Sequence, residues 1–249
     1  MSLLQVENVS KHFGSLIAVD DISMNVEAGE LRAIIGPNGA GKTTFFNLIS
    51  GLFAPTTGRI VFDGQDITNV WPARRVALGM ARTFQITEIF PELAVRENLR
   101  IAVEVAAGLR LSPYMPSRMA AEIRARIDEL LAMGGLTQMA DRLVGELSHG
   151  DQRSTEIMMA LALKPHLLLL DEPTAGMGDQ ETYAITQLIR RLHKDKNLTI
   201  VLIEHDMRVV FNLADRIIVL DRGKQLAEGT PKEIAANEAV QAAYLGKVA

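Results

Sequence analysis

Nine consecutive residues limit what this chain can fold into: Gly36-Pro37-Asn38-Gly39-Ala40-Gly41-Lys42-Thr43-Thr44. They fit the phosphate-binding pattern G-x-x-x-x-G-K-[ST]. The apolar run Leu31-Arg32-Ala33-Ile34-Ile35 precedes them and reads as a buried strand, and Thr44 to Ile49 opens a helix. A strand, a glycine-rich turn and a helix in that order give the pattern its mechanism. The glycines let backbone N–H groups converge on phosphate oxygens. The positive end of the following helix adds to the attraction. Lys42 is placed to reach the β- and γ-phosphates, and the Thr43 hydroxyl to bind Mg²⁺. The competing reading is an ordinary glycine-rich corner, which leaves the coincidence of pattern, strand and helix to chance.

The bulk properties narrow the class. At 249 residues the chain suits one large domain or two small ones. A hydrophobic fraction of 48% with 22% charged residues is ordinary for a globular protein. The net charge of −4 argues against a nucleic-acid surface, so no nucleic-acid partner is expected. The absence of cysteine excludes a disulfide framework and thiolate metal sites. The start, Met1 to Glu7, lacks a basic region followed by an apolar one, so no signal peptide is expected. No apolar run approaches the ~18 residues of a membrane span, so any membrane contact is expected through a partner.

Residues 3–9 and 16–27 read as strands, and Asp63-Gly64 as a hairpin turn. Residues 71–80 hold a short helix starting near Pro72, followed by a strand from Met80 to Phe84. From about Val95 to Leu136, Ala, Leu, Arg and Glu recur at helical spacing, and Ser112 to Ser117 divides the stretch into two helices. Residues 88–155 are therefore expected to be a helical subdomain inserted into an α/β core. Beyond it, Leu167–Leu170, Thr199–Ile203 and Arg216–Leu220 are short apolar strands, as in a parallel sheet covered on both faces. Helices are expected at 152–163, 180–194 and 206–213, with short elements at 231–236 and 238–244.

Leu167-Leu168-Leu169-Leu170-Asp171-Glu172 is an apolar strand ending in two carboxylates. Ligands of open α/β sheets bind at the carboxyl ends of strands, where the phosphate loop also lies. Asp171 is expected in the Mg²⁺ shell, and Glu172 as the general base that polarises the attacking water. Ser148, followed three residues later by Asp151, is a helix-cap pattern. With the Gly150 N–H and the helix dipole it also makes a second anion site. Gln85 and His205 each follow a strand, and Phe13 is an aromatic that could pack in the core or stack on adenine. Met158 and Met159 fall at core-facing helical positions.

Taken in order, these motifs resemble the ATP-binding-cassette ATPase family along essentially the whole chain. The phosphate loop is Gly36–Thr44, and Gln85 matches the Q-loop glutamine. Leu147-Ser148-His149-Gly150-Asp151 stands where the signature L-S-G-G-Q falls. Asp171 and Glu172 match the Walker B aspartate and catalytic glutamate, His205 the switch histidine, and Phe13 the adenine-stacking aromatic. The resemblance implies an α/β fold: a P-loop core with a mainly parallel sheet flanked by helices, an antiparallel β subdomain and an inserted helical subdomain. It divides a single domain, 1–249, into 1–87 with 156–249 as core and 88–155 as the helical part. It implies ATP and Mg²⁺ as cofactors, with Thr43, Gln85 and Asp171 near the metal. Lys42, Glu172, His205 and Gln85 are the implied catalytic group.

A finer resemblance is to the G-type ATPase of bacterial branched-chain amino acid importers. It is carried by Gly79–Gln85, by Phe90-Pro91-Glu92-Leu93 with Val95, by Ile203–Met207 and by Ala243-Tyr244-Leu245-Gly246. Cassettes for urea or short amides look similar. Two departures stand out: His149 and Asp151 within the signature, and Gly178 where an Asp or Asn is usual in the loop after Glu172. Asp179 is a candidate substitute.

The resemblance implies two ATPase subunits closing head to tail, as a homodimer or with a sister subunit. Ser148, His149, Gly150 and Asp151 of one then face the γ-phosphate held by the other. It implies permease partners, reached through Ile86, Glu88, Ile89 and Phe90, and a periplasmic binding protein only indirectly. The implied location is the cytoplasmic side of the bacterial inner membrane. A soluble cassette of translation or repair is disfavoured, since one phosphate loop and no coiled-coil insertion are present. A phosphate-loop kinase leaves residues 147–152 without a role. No regulatory domain is expected after residue 249.

Overall fold

Period-two burial organises the centre of the molecule. The computed structural model describes residues 2–83, 89–109 and 117–245. Strands β3 (Leu31–Ile35), β7 (Leu167–Asp171) and β8 (Thr199–Ile203) are buried at every position. Alternate side chains feed two different cores. Leu31, Ala33, Ile35, Leu168, Leu170, Ile200 and Leu202 pack into one. Ile34, Leu167, Leu169, Val201 and Ile203 pack into the other. A strand wetted on one face would alternate with polar residues; these do not, because both faces are covered.

With β6 (Met80–Arg82), β9 (Arg216–Asp221) and β10 (Lys224–Gly229) they form a six-stranded sheet in the order β10-β9-β3-β8-β7-β6. All neighbours pair in parallel except β10, which turns back antiparallel on β9. This edge strand is absent from the sequence reading, because Lys224-Gln225-Leu226-Ala227-Glu228-Gly229 carries little apolar signal. The other sheet is antiparallel, in the order β2-β1-β4-β5, from β1 (Ser2–Phe13), β2 (Leu16–Glu27), β4 (Thr57–Phe62) and β5 (Gln65–Asp66). The expected turn is present: Phe62 pairs with Gln65, and Asp63 and Gly64 both have positive φ, 47° and 73°. A two-residue loop of that hand matches the twist of its strands.

Helix α1 (Lys42–Ser50) lies between the two sheets and sends Phe45, Phe46, Leu48 and Ile49 into the second core. Helix α2 (Pro72–Ala77) starts at the expected proline. Helices α3 (Val95–Ala106), α4 (Ser117–Gly134) and α5 (His149–Ala162) pack on one another, through Leu99, Ile127, Leu130 and Ile157 among others. Residues 110–116, which hold most of the expected break, lie outside the described residues. Helix α5 begins three residues before the expected 152, because Ser148 caps it. It also runs unbroken through residue 155, the expected edge of the helical subdomain, and packs on α6 (Asp179–Lys196) of the core. Met158 is fully buried and Met159 packs against the core. Helices α7 (Met207–Leu213), α8 (Pro231–Ala235) and α9 (Glu238–Leu245) complete the described chain. No helix among the described residues is long and apolar enough to cross a membrane.

One buried cation fixes α1. Arg75 in α2 is 1% exposed. Its guanidinium donates to the carbonyls of Leu48 and Ile49 in the last turn of α1 (2.9 and 2.6 Å). It also donates to those of Ile67, Thr68 and Val70 (2.5, 3.3 and 2.9 Å). The last carbonyls of a helix have no internal partners, and the negative end of the dipole favours a cation there. Burial lowers the Arg75 pKa to about 10, which still leaves it charged at neutral pH. Replacing Arg75 by Met is expected to cost about 2–4 kcal/mol in urea unfolding, since several buried carbonyls lose their donor. Lys restores only part, having a point charge in place of a planar fork. A loss below about 0.5 kcal/mol, the scale of a neutral surface change, would contradict this role.

Candidate active site

Parallel strands put their carboxyl ends on one edge, and the predicted residues gather there. Asp171 pairs in register with Ile203, Ile34 with Ile203, and Ile35 with Val219. The loops after β3, β7 and β8 therefore leave side by side. They carry Gly36–Gly41, Glu172 and His205 respectively.

The phosphate loop can be built only with glycine at two points. A Cβ on Gly36 would sit 2.2 Å from the Leu220 carbonyl oxygen, and one on Gly41 2.4 Å from that of Ala18. Gly41 also has φ of 96°, and it caps α1 with no side chain in the way. Asn38–Thr44 line a cleft of about 560 Å³ with Leu16, Ile17, Ala18, Glu172, Arg222 and Gly223. The Lys42 ammonium donates to the carbonyls of Gly36 and Pro37 (2.8 and 3.0 Å), so it lies over its own loop. Burial lowers the Lys42 pKa, and the negative charge of Glu172 opposes that shift. Thr43 is exposed on the cleft wall.

Glu172 is one of the few non-glycine residues in the left-handed region, with φ of 43°. Its N–H donates to the Ile203 carbonyl (3.0 Å), which fixes the turn. Such a conformation costs roughly 1–2 kcal/mol and persists where surrounding contacts demand it. His205 is 61% exposed, with Nδ1 4.0 Å from Glu172 Oε2 and 3.7 Å from Glu204 Oε2. Asp171 is buried behind the cleft, ion-paired to Arg82 (3.0 Å). Arg82 also donates to Asn47 and Ser50 of α1 (both 2.7 Å) and lies over the Phe46 ring. The Walker B strand is thus braced against the helix behind the phosphate loop. The oxygens of Thr43 and Asp171 are the hard donors that Mg²⁺ prefers.

Other expected residues stand elsewhere. Phe13 is 43% exposed at the end of β1, edge-on to Phe53 at 5.4 Å, and does not line the cleft. The exposed Leu16 and Ile17, just beyond the hairpin turn, form the apolar wall instead. Gln85 lies outside the described residues, as do Ile86 and Glu88. The signature segment forms its own groove: Ser148, Gly150 and Asp151 face α6, including Glu181 and Leu188. The Ser148 hydroxyl caps α5, accepting from the Asp151 N–H (3.2 Å) and donating to the Asp151 carboxylate (2.9 Å). His149 is exposed beside it. The Gly150 N–H donates to Glu181 Oε1 (3.2 Å). Gly178 precedes α6 with no side chain to complete a capping box, so only the Glu181 half is made, from the Gly178 N–H (3.4 Å). Asp179 pairs with Arg208 of α7 (3.2 Å) on the exposed surface.

Several contacts have no clear signal in the sequence. Arg153 of α5 donates to the carbonyls of Asp171, Glu172 and Pro173 (3.2, 3.1 and 3.3 Å), and it pairs with Glu156 (2.6 Å). The helix that starts at the signature therefore holds the backbone of the turn that carries Glu172.

Comparison with known proteins agrees with this geometry. The ABC transporter family matches residues 19–175, and a branched-chain amino acid ATP-binding cassette transporter family matches residues 224–249. The high-affinity branched-chain amino acid transport ATP-binding protein LivG of Salmonella typhimurium is 40% identical over 252 residues, covering 98% of each chain. A cassette of an ABC transporter solved in its ADP conformation superposes with a TM-score of 0.86 at 32% identity, covering 99% of this chain and 100% of that one. A dimeric cassette solved in a post-hydrolysis state with ADP and Pi gives 0.75 at 28%, covering 92% and 98%. By motif, fold and full-length similarity, this chain belongs to the ABC transporter family and is one of its ATP-binding cassettes.

Proposed function

We propose that this cassette is the ATP-hydrolysing, energy-coupling subunit of a bacterial importer, with branched-chain amino acids as the cargo. The name of its full-length relative and the match at residues 224–249 support that cargo. The observation that carries the mechanism is a separation. The phosphate loop and Glu172 line one cleft, while Ser148 and Gly150 line another groove. One copy offers phosphate contacts in two places that do not meet, and a second copy turned head to tail brings them together. A related cassette solved as a dimer with ADP and Pi supports the same arrangement.

In that arrangement Leu16 and Ile17 receive the adenine. Lys42 leaves its loop carbonyls for the β- and γ-phosphates, and the N–H groups around Gly39 and Gly41 take the remaining oxygens. Mg²⁺ would be held by Thr43 and Asp171, supplying charge neutralisation at the phosphates. Gln85 keeps the sensing role that its motif implies. Glu172 orients and deprotonates water in line with the γ-phosphate, and His205 steadies the charge that develops there. The partner's signature donors complete the cage only on closure, so hydrolysis and reopening become the mechanical stroke. The cassette acts as a peripheral subunit on the cytoplasmic face of the inner membrane. Ile89, partly buried against the helical core, and the exposed Phe90 offer an apolar surface to the permease.

Lys42→Ala is expected to weaken ATP binding by about 10- to 100-fold in an equilibrium titration, since one charge-assisted phosphate contact is lost. Glu172→Gln is expected to bind ATP but lower kcat by about 100-fold or more, leaving a closed dimer visible by gel filtration. Normal turnover in that variant would reject Glu172 as the base. Alanine at both Ile89 and Phe90 is expected to reduce co-purification with the permease subunits while ATPase activity of the free cassette persists. Undiminished capture would remove those residues from the interface.

A further inference from the structure

We infer that Glu204 is a positioning residue that links the turn carrying Glu172 to the switch histidine, so that the two move as one unit. The inference rests on the roles proposed above for Glu172 and His205. Glu204 is completely buried, at the end of β8. Its two oxygens serve two different loops. Oε1 accepts from the Thr174 N–H (3.0 Å) and the Thr174 hydroxyl (2.5 Å). Oε2 accepts from the N–H of His205 (2.9 Å) and of Asp206 (3.4 Å), and lies 3.7 Å from the His205 ring nitrogen Nδ1.

Thr174 belongs to the turn that Glu172 opens: the Ala175 N–H donates back to the Glu172 carbonyl (3.1 Å), and the Met177 N–H to that of Thr174 (3.3 Å). On the other side, Asp206 caps α7 by accepting from the Arg208 N–H (2.8 Å). A shift of the Pro173–Gly178 turn therefore pulls on Glu204, and Glu204 pulls on the backbone of His205.

A carboxylate suits this place because all four partners are donors and both oxygens must accept. Gln has the same shape, but its NH₂ would face one of the two donor pairs. Burial makes that mismatch costly, because water cannot relieve it.

The test uses the purified full chain. Steady-state ATPase kinetics and ATP affinity are measured for Glu204→Gln, Thr174→Val, their double variant and His205→Ala. Glu204→Gln is expected to lower kcat by about 10-fold or more while the ATP Kd stays within about two-fold. Thr174→Val removes only the hydroxyl donor and is expected to lower kcat by about three- to ten-fold. The double variant should be no slower than Glu204→Gln alone, because both changes cut one link. The inference is overturned by a Glu204→Gln kcat within about two-fold of the parent, or by losses that multiply in the double variant. Should Glu204→Gln not fold, Thr174→Val decides alone, and a kcat within about two-fold of the parent rejects the link. His205→Ala separates the two levels. If it keeps full turnover, the histidine's proposed role fails. If it loses turnover while Glu204→Gln keeps it, only the link fails.

Discussion

The parallel run β9-β3-β8-β7-β6 is the constraint on which the rest of the molecule depends. Parallel strands need long crossovers, and each crossover returns the chain to the same starting edge. The opposite edge then collects the loops that leave each strand. The phosphate loop, the Asp171-Glu172 pair and His205 come from residues 36, 171–172 and 205, far apart in sequence and adjacent in space. A sheet whose strands alternated in direction would scatter them over two edges. Burial on both faces holds this order, because each strand feeds two cores and a slip of one residue would exchange them.

Buried charge does a second job. Arg75, Arg82, Arg153 and Glu204 all sit within the protein, and each grips loops or helix ends in place of sheet ladders. Irregular backbone cannot satisfy itself, so its N–H and C=O groups need partners. A guanidinium with its fork of donors suits a cluster of carbonyls, and a carboxylate suits a cluster of N–H groups. Such groups are costly to desolvate and are retained where they fix one geometry among several. Here the fixed geometry is that of the turn after β7, which carries Glu172. Arg153 holds its carbonyls from the signature helix, Glu204 ties it to the histidine, and Arg82 ties Asp171 to α1. The signature helix, Glu172 and the phosphate loop are mechanically continuous within one protomer.

Much of this was legible from residue pattern. The bounds of β3, β8 and the Asp63-Gly64 turn follow directly from apolar runs and from a residue pair that tolerates positive φ. β10 was not legible, since an edge strand has one solvated side and little need for apolar residues. Helix α5 starts three residues before the expected 152, because Ser148, read as a cap, has its first helical residue immediately after it at His149. The expected subdomain boundary at residue 155 falls inside that helix, whose buried residues join one continuous core with α3, α4, α6 and one face of the sheet.

The sequence by itself determined the proposed chemistry: a glycine loop with Lys42 and Thr43 for phosphate and metal, and Glu172 at the end of an apolar strand for water. Local residue types suffice for that, because each motif is complete within a few positions. The tertiary structure decided what supports those groups and what stands apart from them. It placed Leu16 and Ile17 on the cleft wall, moved Phe13 to its margin, and put the Ser148 cap in a separate groove. Such relations arise from contacts between residues distant in the chain, which no local pattern encodes.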